Sequence, residues 1–399
     1  DKESKGKVIE KPVSMRDRVS FRGETWSISE AVKAINTHSR NNTAFDKSVI
    51  TQEVRGRLEY PVHAAAIEFS REVGSEFNAY DGKLEHPVLA QQDVSYGFSA
   101  SQLNSYSRCP FTYFAQRVLD LTVEDDNIKE MLDTGTFYHT VLKAYHLGNQ
   151  NPCVPDIERL DTIFNEMSGQ LTFDSIPVPL KKYIMEELLM VLRNFIIHDA
   201  ENMSRYYQTT GCTLKPVMLE EPFKMTIGKE NSILKGVADR VDLELDSKGA
   251  YTGRFIIYDY KKGSIRSIKE CIEGDDFQLP LYYSAFNNII KERFHIGQPE
   301  CLALLYYSIE KLDWNGIIRK DIKKALFEGR KGTKSTPDKA NMEVVLSWAG
   351  NEATSIINNI RKGYFMLPKE CPASSMFGCL YSGICRYDRT RLAQKEGVL

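Results

Sequence analysis

Two apolar, β-branched runs stand out along the chain. One covers residues 235–242 (Lys-Gly-Val-Ala-Asp-Arg-Val-Asp), the other residues 255–263 (Phe-Ile-Ile-Tyr-Asp-Tyr-Lys-Lys-Gly), and between them lies the polar, glycine-containing Asp246-Ser247-Lys248-Gly249-Ala250. The pattern predicts two antiparallel strands joined by a turn. Folding about Gly249 places Asp239 opposite Asp259. Opposed residues share a face, as do residues two apart on one strand, so Asp239, Asp259 and Lys261 converge while Tyr260 points away. A slip of one residue would undo this arrangement, and the pattern alone leaves the register open.

The flanking patterns are mostly helical. Ser27-Ile28-Ser29-Glu30 has the form of a capping box and predicts a helix to about His38. A second helical segment runs over residues 46–73, broken near Pro61. Residues 1–95 therefore read as a helical N-terminal extension or linker subdomain, in which His38, His63 and His86 show no partner spacing. Residues 96–399 read as a second unit. There, Ser99 or Ser101 caps a short helix, and Pro110 opens the next with Cys109 at the junction. Phe137, Val141, Leu142 and Tyr145 mark one apolar face of a helix over residues 133–146. His139 lies beside that face, and His146 sits near the helix end, where a charge partner for the last turn is expected. Helices follow over about 155–170 and 180–207, strands over 214–245, a helix over about 275–292 and a strand over 302–309. This succession fits an α/β sheet core.

Composition narrows the function classes. Hydrophobic residues make up 42% of the 399 residues and charged ones 27%, as in ordinary globular proteins of two or three domains. The net charge of -2 means that any nucleic-acid surface must be a local patch. The densest basic stretch is residues 319–334, with Arg319, Lys320, Lys323, Lys324, Arg330, Lys331 and Lys334 against Asp321 and Glu328. Such a run is most often a solvated helix face and loop, with phosphate contact as the second reading. No apolar run approaches the roughly 20 residues of a membrane span and no signal peptide opens the chain, so a cytoplasmic protein is expected. The start at Asp1, inside a charged segment, fits a piece of something larger. No Gly-x-x-x-x-Gly-Lys-Ser/Thr sequence occurs, so ATP-driven movement is not expected of these residues. The eight cysteines suit buried thiols or metal ligands better than disulfides, and three of them, Cys371, Cys379 and Cys385, crowd the C-terminal end.

The hairpin carries the candidate chemistry. Two strand-borne carboxylates one side chain apart repel each other unless a cation lies between them, and the hard oxygen donors ask for Mg²⁺ or Mn²⁺. Lys261 beside that ion can orient a water or stabilise charge on a phosphate, so phosphodiester hydrolysis fits both parts. A surface hairpin bearing a salt bridge is the bland alternative. Against it, Phe255-Ile256-Ile257-Tyr258 runs straight into Asp259, which puts the charges at the edge of a core.

Residues 98–388 resemble the PD-(D/E)xK nucleases of the RecB type. Gly135-Thr136-Phe137-Tyr138-His139 is similar to the helical histidine motif and Gly236-Val237-Ala238-Asp239 to the first acidic motif. Asp259-Tyr260-Lys261 is similar to the D/E-x-K motif, and Gln278-Leu279-Pro280-Leu281-Tyr282 to the Gln-x-x-x-Tyr motif. The four arrive in family order. The resemblance implies a restriction-endonuclease-like central mixed sheet flanked by helices. It also implies metal ligation by His139, Asp239, Asp259 and the carbonyl of Tyr260, catalysis by Lys261, and support of the site or DNA contact by Gln278 and Tyr282. Asp242 and Glu221 stay outside the set.

Within that family the chain is most similar to the AddB subunit of bacterial AddAB helicase–nucleases, whose nuclease domain is held by an iron–sulfur cluster. Cys109-Pro110-Phe111 matches the leading cysteine and Cys379 with Cys385 the final pair, but Met376 stands where the family pattern has another cysteine. The resemblance then implies a [4Fe–4S] cluster on Cys109, Cys371, Cys379 and Cys385, with zinc as the alternative and merely buried thiols as the bland case. Such a cluster would clip together chain ends roughly 270 residues apart. The activity implied is cutting of single-stranded DNA ends in double-strand-break repair beside an AddA-like helicase subunit. A stand-alone Cas4-like exonuclease and a non-cutting DNA-binding scaffold with the same fold are the rivals.

Overall fold

The computed structural model describes residues 18–21, 24–27, 67, 77–84, 97–121, 128–171, 177–265, 276–326, 339–372, 379–385 and 387–395. The chain divides into two compact units, one drawn from residues 1–85 and 386–399 and the other from 86–385. In the first, β1 (Arg18–Phe21) and β2 (Glu24–Ser27) pair antiparallel. Ser27, read as a helix cap, ends β2, and the helices expected after it, with His38, His63 and His86, lie outside the described residues apart from Ile67, which is helical. Near the C-terminus, Lys395 and Arg391 hold the buried Asp81 at 2.6 and 3.8 Å.

The second unit begins with α1 (Ala100–Arg108), α2 (Pro110–Tyr113), α3 (Ile128–Leu147), α4 (Ile157–Met167) and α5 (Val178–Thr210). Ser99, not Ser101, caps α1 with a full capping box to Gln102. Five strands follow: β3 (Thr213–Ile227), β4 (Ser232–Leu245), β5 (Tyr251–Lys261), β6 (Glu300–Ser308) and β7 (Trp314–Ile318), in spatial order β3-β4-β5-β6-β7. All pairs are antiparallel except β5–β6, whose crossover is α6 (Gln278–Arg293). A parallel pair requires such a crossover. The sheet is therefore mixed and flanked by helices. After β7 come α7 (Lys323–Leu326) and α8 (Lys339–Arg361); β7 and α8 have no counterpart in the sequence reading.

The sheet is buried on both faces, and β5 shows how. Phe255 and Ile257 pack with Leu279, Phe286 and Ile290 of α6. Ile256, Tyr258 and Tyr260 point the other way, into a core with Val141 and Tyr145 of α3 and Phe195 and Tyr206 of α5. At period two, one strand thus serves two cores. The β4–β5 turn closes with Gly249 at φ +80°, a conformation that glycine adopts without a Cβ penalty, and its N–H donates to the Asp246 carbonyl at 2.9 Å.

Behind β5 lies a fully buried charge cluster. Arg240 donates Nε and Nη2 to the two oxygens of Asp242 at 2.7 and 2.6 Å, and Nη1 to Asp199 at 2.7 Å. His146 corrects its sequence reading. It is buried 3.4 Å from Arg240, and burial together with that guanidinium drives its pKa well below the ordinary value, so it is a neutral core residue and not a charge at the end of α3.

Candidate active site

Arg240 pairs with Tyr258 across β4 and β5, and continuing that register by one residue sets Asp239 opposite Asp259. Their contacts agree: the Tyr260 N–H donates to Asp239 Oδ2 at 2.5 Å. The Tyr260 ring lies on the opposite face, its hydroxyl 3.3 Å from Arg240 Nη1 and 3.4 Å from His146 Nε2. Lys261 Nζ meets Asp259 Oδ2 at 2.5 Å.

Other elements close round this pair. Gln278, the first residue of α6, donates Nε2 to Asp259 Oδ1 at 2.5 Å and to the Tyr282 hydroxyl at 2.9 Å, while its Oε1 accepts from Lys261 Nζ at 3.2 Å. From α3, His139 Nδ1 stands 3.4 Å from Asp239 Oδ1. It stands closer still, 3.0 Å, to Glu220 Oε1.

Glu220 was missed by the sequence reading, which considered only its neighbour Glu221. Leu219 faces Arg240 and Glu221 faces Ala238, so Glu220 falls opposite Asp239. The register is constant from Ile227 and Ser232 at the turn back to Met218 and Val241, with the bulge between Pro216 and Met218 lying beyond it, and Glu220 itself adopts φ +48°, an uncommon conformation for a residue with a Cβ. Glu221 instead pairs with the exposed Arg293 at 2.5 Å. Asp242 is bound to Arg240, away from the site. Counting register back through the β3–β4 turn was the signal that could have found Glu220.

The electrostatics follow from burial among like charges. The Asp259 carboxyl is pushed up to about 7, first by burial and then by the Asp239 carboxylate, with Lys261 and His139 opposing. Burial alone would lower His139, but its bonds to Asp239 and Glu220 outweigh that and raise its pKa to about 10. Burial likewise pushes the Tyr282 hydroxyl up. His139 thus carries the positive charge that the two carboxylates attract.

The donor set fits a divalent cation. Ligand atoms of His139, Glu220 and Asp239 all lie within 4.8 Å of one another. One imidazole nitrogen among carboxylate oxygens suits Mn²⁺ as well as Mg²⁺.

Lys320 and Lys324 are exposed and Lys323 is half-buried, all just after the edge strand β7, while Arg330 and Lys331 lie outside the described residues. The neighbouring Arg319 is engaged by Glu300 and Asp321 at 2.9 and 2.6 Å. Cys109, Cys371, Cys379 and Cys385 are free thiols, the last buried. The segment after α8 returns to the helices beside Cys109. Tyr106 donates to the Tyr364 carbonyl, Phe365 packs on Phe114 with ring centroids 4.9 Å apart, and the Tyr381 hydroxyl donates to the Leu121 carbonyl at 2.8 Å. Among the described residues, no helix is long and apolar enough to cross a membrane.

A lysine and two carboxylates at the end of paired strands, faced by a helical histidine and a helical glutamine, define a class. Residues 97–386 match the family model of the PD-(D/E)XK nuclease superfamily, and the chain belongs to that superfamily. It is similar to the B-type subunit of the ATP-dependent helicase/deoxyribonuclease of Clostridium acetobutylicum, 24% identical over 78% of this chain and 31% of that protein. Proteins of the same name from Clostridioides difficile and Desulfitobacterium hafniense are each 27% identical, over 57% and 51% of this chain and 20% and 18% of theirs. The chain spans less than a third of the length of these curated relatives.

Proposed function

We propose that this chain is the nuclease part of a helicase–nuclease subunit, and that it hydrolyses phosphodiester bonds of single-stranded DNA ends during double-strand-break repair. The observation that carries this reading is the meeting of Asp239, Asp259, Lys261 and Gln278 at one end of the sheet, with His139 and Glu220 beside them. His139, Glu220, Asp239 and Asp259, with the Tyr260 carbonyl, would hold Mg²⁺ or Mn²⁺. When bound, such an ion polarises a phosphate and lowers the pKa of a water.

The chain's own groups have defined tasks. The Lys261 side chain is 30% exposed, and its ammonium would stabilise charge building on a phosphate oxygen or hold the attacking water. Gln278 bridges Asp259 and Lys261 and keeps both in one geometry, and Tyr282 fixes Gln278 one turn along α6. The Tyr260 N–H orients Asp239. Lys320, Lys323, Lys324, Arg330 and Lys331 are the candidate phosphate contacts outside the site.

A [4Fe–4S] cluster on Cys109, Cys371, Cys379 and Cys385 is the proposed clip between the ends of the nuclease unit. The contacts of Tyr364 with Tyr106 and of Phe365 with Phe114, on either side of Cys109 in the sequence, support it. Zinc on the same four thiols is the alternative. The relatives' name includes an ATP-dependent helicase, and in this reading an AddA-like partner supplies strand separation. End-labelled single-stranded and blunt duplex DNA, each incubated with Mg²⁺ or Mn²⁺, test the reading. Labelled products from the single strand are expected, and products from neither DNA with either metal refute it.

A further inference from the structure

Lys261 and Gln278 are themselves held, and the groups that hold them form a closed circuit. Tyr306 of β6 pairs with Asp259 in the parallel register and is fully buried. Its ring centroid lies 5.3 Å from Lys261 Nζ, within reach of a cation–π contact. The ring thus joins the Asp259 carboxylate and the Gln278 carbonyl oxygen as a third neighbour that places the ammonium. The hydroxyl on the far end of that ring donates to Asp276 Oδ2 at 2.6 Å.

Asp276 is the second member. It is fully buried two residues before Gln278, and Phe277, at the cap position of α6, makes no side-chain cap bond. Asp276 Oδ1 takes over that task by accepting the Gln278 N–H at 3.1 Å. A carboxylate there also suits the positive end of the helix dipole. The same oxygen accepts from Asn104 Nδ2 at 2.9 Å, and Asn104 Oδ1 accepts the Phe277 N–H at 2.8 Å. Asn104 belongs to α1, which ends at Cys109.

We propose that Tyr306 and Asp276 are positioning residues for the nuclease site: Tyr306 sets the Lys261 ammonium through its ring, Asp276 sets Gln278 through the start of α6, and the tyrosine hydroxyl links the two. Through Asn104 the same circuit ties the Cys109 end of α1 to the chemistry. The inference rests on Lys261 and Gln278 acting in cleavage as described above. A ring without a hydroxyl still holds the lysine, and an amide in place of the Asp276 carboxylate can still accept from the Gln278 N–H while donating to the tyrosine oxygen. Conservative variants should therefore be mild and truncations severe.

The test uses the full chain and the variants Tyr306→Phe, Tyr306→Leu, Asp276→Asn and Asp276→Ala. Single-turnover cleavage of labelled single-stranded DNA at saturating Mn²⁺ is expected to fall about 10- to 100-fold in Tyr306→Leu and Asp276→Ala, as for small misplacements of catalytic groups. DNA affinity and the Mn²⁺ concentration giving half-maximal rate should hold, and Asp276→Asn should recover most of the rate. A second readout needs no cleavage. After reductive ¹³C-methylation, the Lys261 methyl resonance, identified by its loss in Lys261→Arg, should be shifted by the Tyr306 ring current in the parent chain and in Tyr306→Phe. It should fall among the ordinary lysine signals in Tyr306→Leu. A Lys261 resonance already at the ordinary position in the parent chain overturns the role of Tyr306 even if Tyr306→Leu does not fold, and equal loss in Asp276→Asn and Asp276→Ala overturns that of Asp276. If the parent chain cuts nothing while the resonance behaves as described, the nuclease reading fails and the placement of Lys261 by Tyr306 stands.

Discussion

Arg240 offers the sharpest test of how the site is built, because its surroundings set the magnitude. Its guanidinium is fully buried, bonded to both Asp242 oxygens and to Asp199, and stacked 4.7 Å from the Tyr258 ring centroid. Arg240→Met keeps much of the volume and removes the only charge described between those two carboxylates. Breaking a buried pair from one side costs about 3–5 kcal/mol, against a typical total of about 5–15 kcal/mol for a domain. The urea midpoint should therefore drop by roughly a third or more at neutral pH with little change in slope. The sign of its pH dependence is set as well. Burial already raises the Asp242 carboxyl although Arg240 opposes this, and losing Arg240 raises it further. A group raised in the folded state favours folding below its unfolded value and loses that contribution as pH rises through its folded one. The gap between variant and parent should then narrow on acidification. Because Asp239 adjoins Arg240 and the Tyr260 hydroxyl touches it, cleavage should fall too. A loss below about 1 kcal/mol, or a gap that does not close in acid, refutes the reasoning.

Glu220→Gln should weaken Mn²⁺ binding by about 10- to 100-fold in titration calorimetry, whereas Glu221→Gln, whose carboxylate pairs with Arg293, should leave it unchanged. Metal-free stability should fall as pH rises from about 4 towards 7, because Asp259, raised to about 7, must ionise among other carboxylates. The His139 ion pairs contribute fully below about pH 6.5 and are lost only as pH rises through about 10. A cation binds deprotonated His139 and ionised Asp259, so Mn²⁺ should raise the melting temperature more at about pH 8 than at about pH 5.5; equal shifts would contradict this. For the cysteines, anaerobically purified protein should be brown and contain iron, and Cys109→Ser and Cys371→Ser should lose both; parental iron content in Cys371→Ser removes that residue from the cluster.

The hairpin was legible because two apolar, β-branched runs flank a glycine-containing polar turn, and side chains alternate in direction along any strand. Phe255, Ile256, Ile257 and Tyr258 show no alternation of polarity, since both faces are buried, yet Asp259 and Lys261 still share one face and Tyr260 takes the other. Gly249 marked the turn, but the register there pairs Leu245 with Tyr251, and an irregularity before Leu243 and Phe255 shifts it by two residues, which is what brings Asp239 opposite Asp259. Glu220 was not legible, because residues 214–245 were read as strand without placing the turn from which the register counts, and a Glu-Glu pair hides which member faces inward. His146 and Arg240 were misjudged or passed over for a related reason: charged and titratable residues in a core depend on partners such as Asp199, which lies 41 residues before Arg240. Asp276 was masked by the helix-start pattern around it, since its acceptors serve both a cap and a distant tyrosine. In residues 1–95, the strand pair β1–β2 shows that a capping-box pattern does not exclude an extended residue at its first position.

The central claim is that the end of β5 is a working nuclease centre. It is tested most directly by incubating the chain, Asp259→Ala and Lys261→Ala with end-labelled single-stranded DNA and Mn²⁺, with melting curves to verify folding. Metal-dependent product from the parent and a loss of at least about 100-fold in both variants are expected. Equal cleavage by all three folded proteins would contradict the claim.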